Sequence, residues 1–398
     1  MNILIIGTTD ILGGAAKVSW NIKCALEEAG HTVSMFVADK RSDDSKVKVI
    51  PRVTWQKYFN FIFATERFVD TDWILETDEF KGADIVHCHN LHGRFFNLET
   101  MKKMSQIKPV IWTLHDEWAV TPHCAYTLEA SDMINGLYIC PSIDTQPRIL
   151  WDNTNSLGKW KNEIYSKSKL HIVTPSIWLK DRIEKTILNK QDIRLIHNGI
   201  DTSKFCKMDK INARSKLNLP LDKKIILFLA TDAKNNTWKG WRYTEEVINN
   251  FSNNDDTIFL NVGNLSQHND TDKVRYVGHI NDLETLAQYY SAADMLLFTS
   301  IAENFPLVIL EAMSCGLPIV SFDVGGVKEV VSHRENGYIA KYLDVQDLIS
   351  GTEWIKSLNT IEIENMSKKS ASKICDQFSV RKMTQKYISL YEELHTGN

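Results

Sequence analysis

This chain of 398 residues has no surplus of one charge sign, no closely spaced cysteine pair and no long apolar run. Basic side chains number 46 against 50 acidic ones, a net charge of −4, and the first 200 residues hold 24 of each sign. With neither half polarised, the charge pattern points away from nucleic acid. The 7 cysteines are odd in number, widely scattered and form no CxxC motif. That excludes a disulfide-framed secreted miniprotein and predicts reduced thiols in a cytoplasmic setting. No run approaches the ~20 apolar residues of a membrane-spanning helix. The opening MNILIIG has no charged residue before its apolar run, so a buried first strand is expected in place of a signal peptide. There is no low-complexity tract and no internal repeat of roughly 20–50 residues.

What is present is an ordinary globular composition, 43% hydrophobic and 24% charged. At ~150 residues per domain the length suggests two or three domains. Short runs rich in Ile and Val alternate with helical patterns, the signature of parallel α/β units. Strands are expected at Asn2–Ile6, Thr32–Val37, Asp84–Cys88, Val110–Leu114, His171–Thr174 and Ile193–Ile196. A second series runs through Ile225–Ala230, Thr257–Val262, Val274–Val277, Met295–Phe298 and Ile319–Phe322. Val18, Ile22, Ala25, Leu26 and Ala29 mark a helix with one buried face, which Gly30 ends. The stretch from Ala119 to Lys169 is less regular, with inserted loops expected. The turn-rich His197–Asp201 suits an interdomain link. Two Rossmann-like domains are expected, residues 1–198 and 199–378, facing each other across a cleft. Residues 379–398 form a last helix, packing back on the first domain.

Ligands of such sheets sit at the carboxyl ends of strands. Gly13-Gly14 precedes the first helix, where glycine lets backbone N–H groups approach an anion; a plain tight loop is the alternative. Thr9 occupies the second position of a G-x-G-x-x-G dinucleotide fingerprint, which weakens a dehydrogenase reading. Glu303-Asn304-Phe305-Pro306-Leu307-Val308-Ile309-Leu310-Glu311 is the most informative stretch. Pro306 is expected in the first helical turn, which leaves Glu303 in the loop and puts Glu311 about 7 Å along the axis. Two carboxylates so spaced can accept hydrogen bonds from hydroxyls of a hexose or ribose. The plain alternative is a helix-end charge and a surface Glu. His115-Asp116-Glu117 follows the apolar strand Val110–Leu114, at a strand end.

The Glu303–Glu311 segment resembles the E-x7-E motif of retaining glycosyltransferases of family four, within the GT-B fold. The resemblance includes Gly13-Gly14-Ala15, Ala29–Val33, Asn198–Asp201 and Lys239-Gly240. It continues through Gly278, Ala293-Asp294, Ser300, Cys315–Pro318 and Gly325-Gly326. Covering nearly the whole chain in order, it implies a hexosyltransferase using a nucleotide diphosphate sugar as substrate, with no cofactor and no divalent metal. It further implies that Glu303 holds sugar hydroxyls and Glu311 the ribose. Gly13 and Gly14, with Asn304, Phe305, Pro306 and Leu307, would bind sugar and diphosphate. Lys239 would meet the leaving phosphate, and His115 would support the chemical step beside Glu303. The family often carries Gly-Arg after the first strand of its second domain, where this chain has Ala230-Thr231-Asp232. Lys234 or Arg242 could substitute.

The implied partners are the nucleotide-sugar donor and a glycan or lipid-linked oligosaccharide acceptor, in surface polysaccharide synthesis. A nucleotide-sugar epimerase of the same architecture, or a non-catalytic carbohydrate-binding relative, are the alternatives. His87, His89 and His92 place three imidazoles within six residues. Metal binding, acceptor contact and structural hydrogen bonding are all open to them, the last most often met. Cys124 and Cys140 resemble part of an insertion in relatives making extracellular polysaccharide, but two thiols do not complete a zinc site. Trp55, Tyr58, Phe59, Phe61, Phe63 and Phe68, with Lys57 and Arg67, could touch the inner face of a membrane. Lys159, Lys161, Lys167 and Lys169 around Trp160 are a second such stretch; core packing and a solvated face are the alternative.

Overall fold

The apolar runs become two parallel sheets in a computed structural model that describes residues 1–52, 66–128, 130–230, 237–263 and 270–397. Tertiary contacts divide the chain into two units: Met1–Asn198 with Val380–Asn398, and Gly199–Ser379.

The first unit's strands are β1 (Asn2–Thr9), β2 (Thr32–Asp39), β3 (Val47–Val49), β4 (Ile85–Cys88), β5 (Val110–Thr113), β6 (Met133–Ile134), β7 (Leu137–Tyr138), β8 (Leu170–Thr174) and β9 (Asp192–Leu195). Seven of them form one sheet in the order β3-β2-β1-β4-β5-β8-β9, with every pairing parallel. The central strands are buried on both faces, which explains why they are continuous apolar runs without alternation. The helix Gly14–Glu28 buries Val18, Ile22 and Leu26, the stripe expected from their spacing. The closing helix Val380–Thr396 belongs to this unit through Tyr387 and Tyr391, both buried. Tyr391 Oη lies 2.7 Å from His87 Nδ1, and Tyr387 Oη lies 2.9 Å from Thr113 Oγ1.

The stretch from Ala119 to Lys169 is more ordered than its sequence suggests. β6 and β7 form a two-residue hairpin through Asn135 and Gly136, whose φ values of 54° and 75° are the left-handed pair that such turns require. The helix Thr154–Ser166 then buries Trp160 and Lys161. This removes Trp160 and Lys161 from the second membrane-facing stretch, whose Lys159, Lys167 and Lys169 are exposed: Lys161 Nζ donates 2.9 Å to the Thr121 carbonyl, also bonds the Trp118 carbonyl, and lies 3.7 Å from the Trp118 ring centre. Of the first stretch, Trp55, Lys57, Tyr58, Phe59, Phe61 and Phe63 lie outside the described residues, while Phe68 is exposed. A further correction concerns the cysteines. Cys124 and Cys140 are joined as a disulfide with Cα atoms 5.8 Å apart, and the other five are free.

The second unit contributes β10 (Lys224–Ala230), β11 (Thr257–Gly263), β12 (Val274–Val277), β13 (Met295–Phe298), β14 (Ile319–Phe322) and β15 (Gly337–Ala340). They form a six-stranded parallel sheet in the order β12-β11-β10-β13-β14-β15. Asp294, just before β13, ties its entry together. Its carboxylate accepts from Lys210 Nζ at 2.6 Å, Arg214 Nη2 at 2.7 Å and the Ile225 N–H at 2.7 Å. Arg214 is itself buried and also bonds the carbonyls of Ala292 and Lys223.

Burial alone would raise the Asp294 pKa, but Lys210, the Ile225 N–H and Arg214 together hold it below its usual value. Its stabilising effect is complete above about pH 3.9 and is lost as pH falls through the depressed native value. Arg214→Met should therefore destabilise the second unit by about 2–3 kcal/mol near neutral pH. Thermal melting at a series of pH values should show that deficit constant from about pH 5 to 8 and smaller in acid. An unchanged melting temperature would remove the cluster from the stability of this unit.

Candidate active site

In the second unit the strand order reverses between β10 and β13, the place where open parallel sheets take ligands. The chain leaving β10 reaches a single 3₁₀ turn, Thr237–Lys239, and the chain leaving β13 carries Ser300–Pro306. Gly240 lets the two lie together. Its φ is +64°, and an added Cβ would stand 2.0 Å from the Thr299 carbonyl oxygen. The Ile301 N–H donates to the Trp238 carbonyl at 2.8 Å, and Thr299 Oγ1 donates to the Lys239 carbonyl at 3.1 Å. So fixed, Lys239 Nζ donates to Glu303 Oε1 at 2.7 Å; the lysine side chain is 37% exposed and the carboxylate 12%.

A second close approach shapes the loop behind Glu303. Gly325 has φ +54°, and a Cβ there would meet the Glu303 carbonyl oxygen at 1.9 Å. The next N–H, of Gly326, donates to the Asn304 carbonyl at 2.8 Å. Asn304, Phe305 and Leu307 are buried, the Phe305 ring 5.5 Å from that of Phe378. Pro306 stands one position earlier than expected. It is the extended residue before the helix Leu307–Ser314 (ψ 119°) and lies outside the first turn. No side chain caps this helix; the Ile309 N–H reaches the Pro306 carbonyl at 3.2 Å, and the N–H groups of Leu307 and Val308 have no intrahelical acceptor. One turn further, the buried Glu311 accepts from Tyr290 Oη at 2.8 Å. A cation, an uncapped helix start and two oriented carboxylates can together hold an anion that bears vicinal hydroxyls.

The first unit reverses between β1 and β4. Gly13 precedes the helix Gly14–Glu28 with φ +97°, a conformation that only glycine adopts without strain. Gly14 has no such φ, and a Cβ added there would meet no atom within 4 Å. Asp10, fully buried, pins the loop by accepting N–H bonds from Ile11, Arg41 and Ser42 at 3.0, 2.9 and 2.8 Å. After β5, His115 is partly exposed, and its Nε2 lies 2.9 Å from Nδ1 of the buried His89. Burial moves the His115 pKa down to about 4, with Asp116 opposing and His92 assisting. At neutral pH the ring is uncharged. Beside it, burial lowers the His92 pKa, but Asp116 at 2.9 Å outweighs it and the net shift is upward.

The three imidazoles of the His87–His92 segment do not converge. His87 bonds Tyr391 and Thr113, His89 bonds His115, and His92 bonds Asp116. Lys239 and Glu303 are joined directly, with Asn304, Phe305, Pro306 and Leu307 on the same loop and helix start and Glu311 within that helix. Gly13, Gly14 and His115 belong to the first unit. Of the replacements for the missing arginine, Lys234 lies outside the described residues, and Arg242 packs 4.5 Å from the centre of the Tyr243 ring. Sequence reasoning missed Tyr290, Thr299 and Asp10, which no motif or spacing marks out from their polar neighbours.

Two family models match consecutive parts of the chain. The family described as Glycosyltransferase Family 4 matches residues 12–204, and Glycosyl transferases group 1 matches residues 209–373. A protein of Escherichia coli (strain K12) named for glycosyl transfer in colanic acid biosynthesis is 24% identical over 99% of this chain and 100% of its own. Among solved structures, sucrose-phosphate synthase from Thermosynechococcus elongatus superposes with a TM-score of 0.73 at 19% identity, covering 100% of both chains. The Anabaena protein HepE, in complex with UDP-glucose, does so with a TM-score of 0.69 at 16% identity, covering 98% of this chain and 99% of its own. With the two models spanning nearly its whole length and both sheets in place, the chain belongs to the family-four glycosyltransferases and has the GT-B fold.

Proposed function

We propose that this glycosyltransferase moves a sugar, with retention of configuration, from a nucleotide diphosphate sugar to a glycan or lipid-linked oligosaccharide in surface polysaccharide synthesis. The second unit holds the donor and the first unit receives the acceptor. One observation carries the donor assignment: the Lys239–Glu303 pair at 2.7 Å beside an uncapped helix start, with Glu311 one turn away. The colanic acid relative and the HepE complex with UDP-glucose support the same reading.

The chemistry follows from charge. The bond from the anomeric carbon to the phosphate oxygen breaks, and negative charge grows on the departing diphosphate. Lys239 and the first-turn N–H groups at Leu307 stabilise that charge where it develops. The acceptor hydroxyl forms the new bond on the same face and passes its proton to a departing phosphate oxygen. Glu303 accepts from sugar hydroxyls, Glu311 from the ribose. His115, uncharged at neutral pH, offers the sugar a hydrogen bond without adding a charge.

Incubation with nucleotide sugars, with and without acceptor, tests the reading. Transfer that requires acceptor, with an α-linked product from an α-linked donor by NMR, is expected. Donor isomerisation without acceptor would make it an epimerase, and a β-linked product would remove retention.

Glu311→Ala should weaken binding of the bare nucleoside diphosphate by about 10–100-fold, the loss of a charge-assisted hydrogen bond. Glu303→Ala should bind that ligand nearly as the unsubstituted chain does and lose sugar transfer. Calorimetry with nucleotide and full donor separates the two; full-strength nucleotide binding by Glu311→Ala would sink the ribose assignment.

Transfer should also proceed without divalent metal, because Lys239 and the helix start meet the diphosphate. Turnover in excess chelator is expected to match the untreated rate. Loss of turnover in chelator, restored by one divalent ion, would contradict this.

A further inference from the structure

The contact between His89 and His115 admits two neutral arrangements. Their Nδ1 and Nε2 atoms are 2.9 Å apart, so one proton lies between them. Burial lowers the pKa of both rings, which leaves each uncharged at neutral pH. If His115 donated through Nε2–H, His89 would carry its own proton on Nε2. That atom is buried and has no hydrogen-bond partner. If His89 donates through Nδ1–H, its Nε2 is a bare lone pair. A buried N–H without an acceptor is the rarer and costlier of the two defects.

We propose that His89 is a positioning residue whose Nδ1–H donates to His115 Nε2, holding His115 as the Nδ1–H tautomer so that it presents a donor to the ligand. His115 then acts on sugar oxygens as an uncharged hydrogen-bond donor and has no lone pair for use as a base. The catalytic part of this rests on the reading that His115 touches the sugar; the tautomer does not.

The surroundings make His89 a firm support. Its N–H donates to the Ile6 carbonyl at 2.8 Å, and its carbonyl accepts from Trp112 Nε1 at 2.9 Å. Its ring lies against that of His87, centres 4.2 Å apart, and is nearly parallel to that of His115, at an interplanar angle of 17° with centres 5.2 Å apart. His87 cannot compete for the same proton, because both its nitrogens are engaged, with Tyr391 at 2.7 Å and Thr113 at 2.8 Å. Support thus runs from the closing helix through β4 to the end of β5. His115 Nδ1 makes no hydrogen bond among the described residues, and the ring is partly exposed.

Two-bond ¹H–¹⁵N correlation of the histidine rings in the full chain at neutral pH reads the tautomer directly, with His115 assigned by its loss in His115→Ala. The expected result is protonated Nδ1 and bare Nε2 at His115; the reverse pattern overturns the proposal in the unsubstituted protein. His89→Asn keeps an N–H donor near the position of Nδ1 and should retain tautomer and turnover. His89→Leu removes the donor and should lower kcat about tenfold, the worth of one hydrogen bond, with KM for the nucleotide sugar nearly unchanged. An unaltered kcat in His89→Leu, or no rescue by His89→Asn, overturns the positioning role. Normal turnover by His115→Ala, with the tautomer as expected, would sink the sugar contact and leave the pairing intact.

Discussion

A parallel sheet whose strand order reverses must send two neighbouring strands into crossovers on opposite faces, leaving a gap at their carboxyl ends. Both units of this protein are built around such a gap, at β1/β4 and at β10/β13. Every candidate residue for the chemistry sits on chain leaving these strands or the adjacent β5. In the second unit the constraint is sharpened by two glycines. Gly240 and Gly325 each bring backbone to where a Cβ would meet a carbonyl oxygen at 2.0 or 1.9 Å. The outcome is a lysine and a carboxylate held in contact beside a helix start.

That contact is suited to exchange. The lysine side chain is 37% exposed and can turn to an arriving anion, while the carboxylate, 12% exposed, needs new donors in its place. A diphosphate suits the lysine and sugar hydroxyls suit the carboxylate. Elsewhere, buried charges serve the fold. Asp294 with Arg214, and Glu117 with Arg182, Thr127 and the Thr127 N–H, hold crossings and the inserted hairpin in place. The neutral pair His89–His115 is set apart from these and lies beside the hydrogen-bonded His92–Asp116 pair.

The central strands were legible because burial on both faces demands uninterrupted apolar runs, as in Ile3–Ile6 and Met295–Phe298. Edges were not. β3 has only three residues, two of them exposed, and β15 begins with Gly337, which resembles a turn but sits where a Cβ would crowd the Ile319 carbonyl at 2.6 Å. The Asn135-Gly136 hairpin carried its usual two-residue signal, yet its strands are too short to alternate. The E-x7-E spacing located Glu303 and Glu311 but was silent on Tyr290, which bonds Glu311 from the preceding helix, and on Thr299, which fixes the Lys239 carbonyl. Periodicity cannot tell a solvated lysine from a buried one, so Lys161 was misplaced. Nor can spacing reveal that Cys124 and Cys140 meet.

The central claim is that the loop ends at β10 and β13 form a diphosphate site with Lys239 as its cation. Calorimetric titration with nucleoside diphosphates and the matching monophosphates, on the unsubstituted chain and on Lys239→Met, tests it most directly. The account predicts that one nucleoside diphosphate binds at least about tenfold tighter than its monophosphate, and that Lys239→Met abolishes most of that difference while the monophosphate affinity holds. Equal affinity for the two ligands, or a preference that survives Lys239→Met, would contradict it.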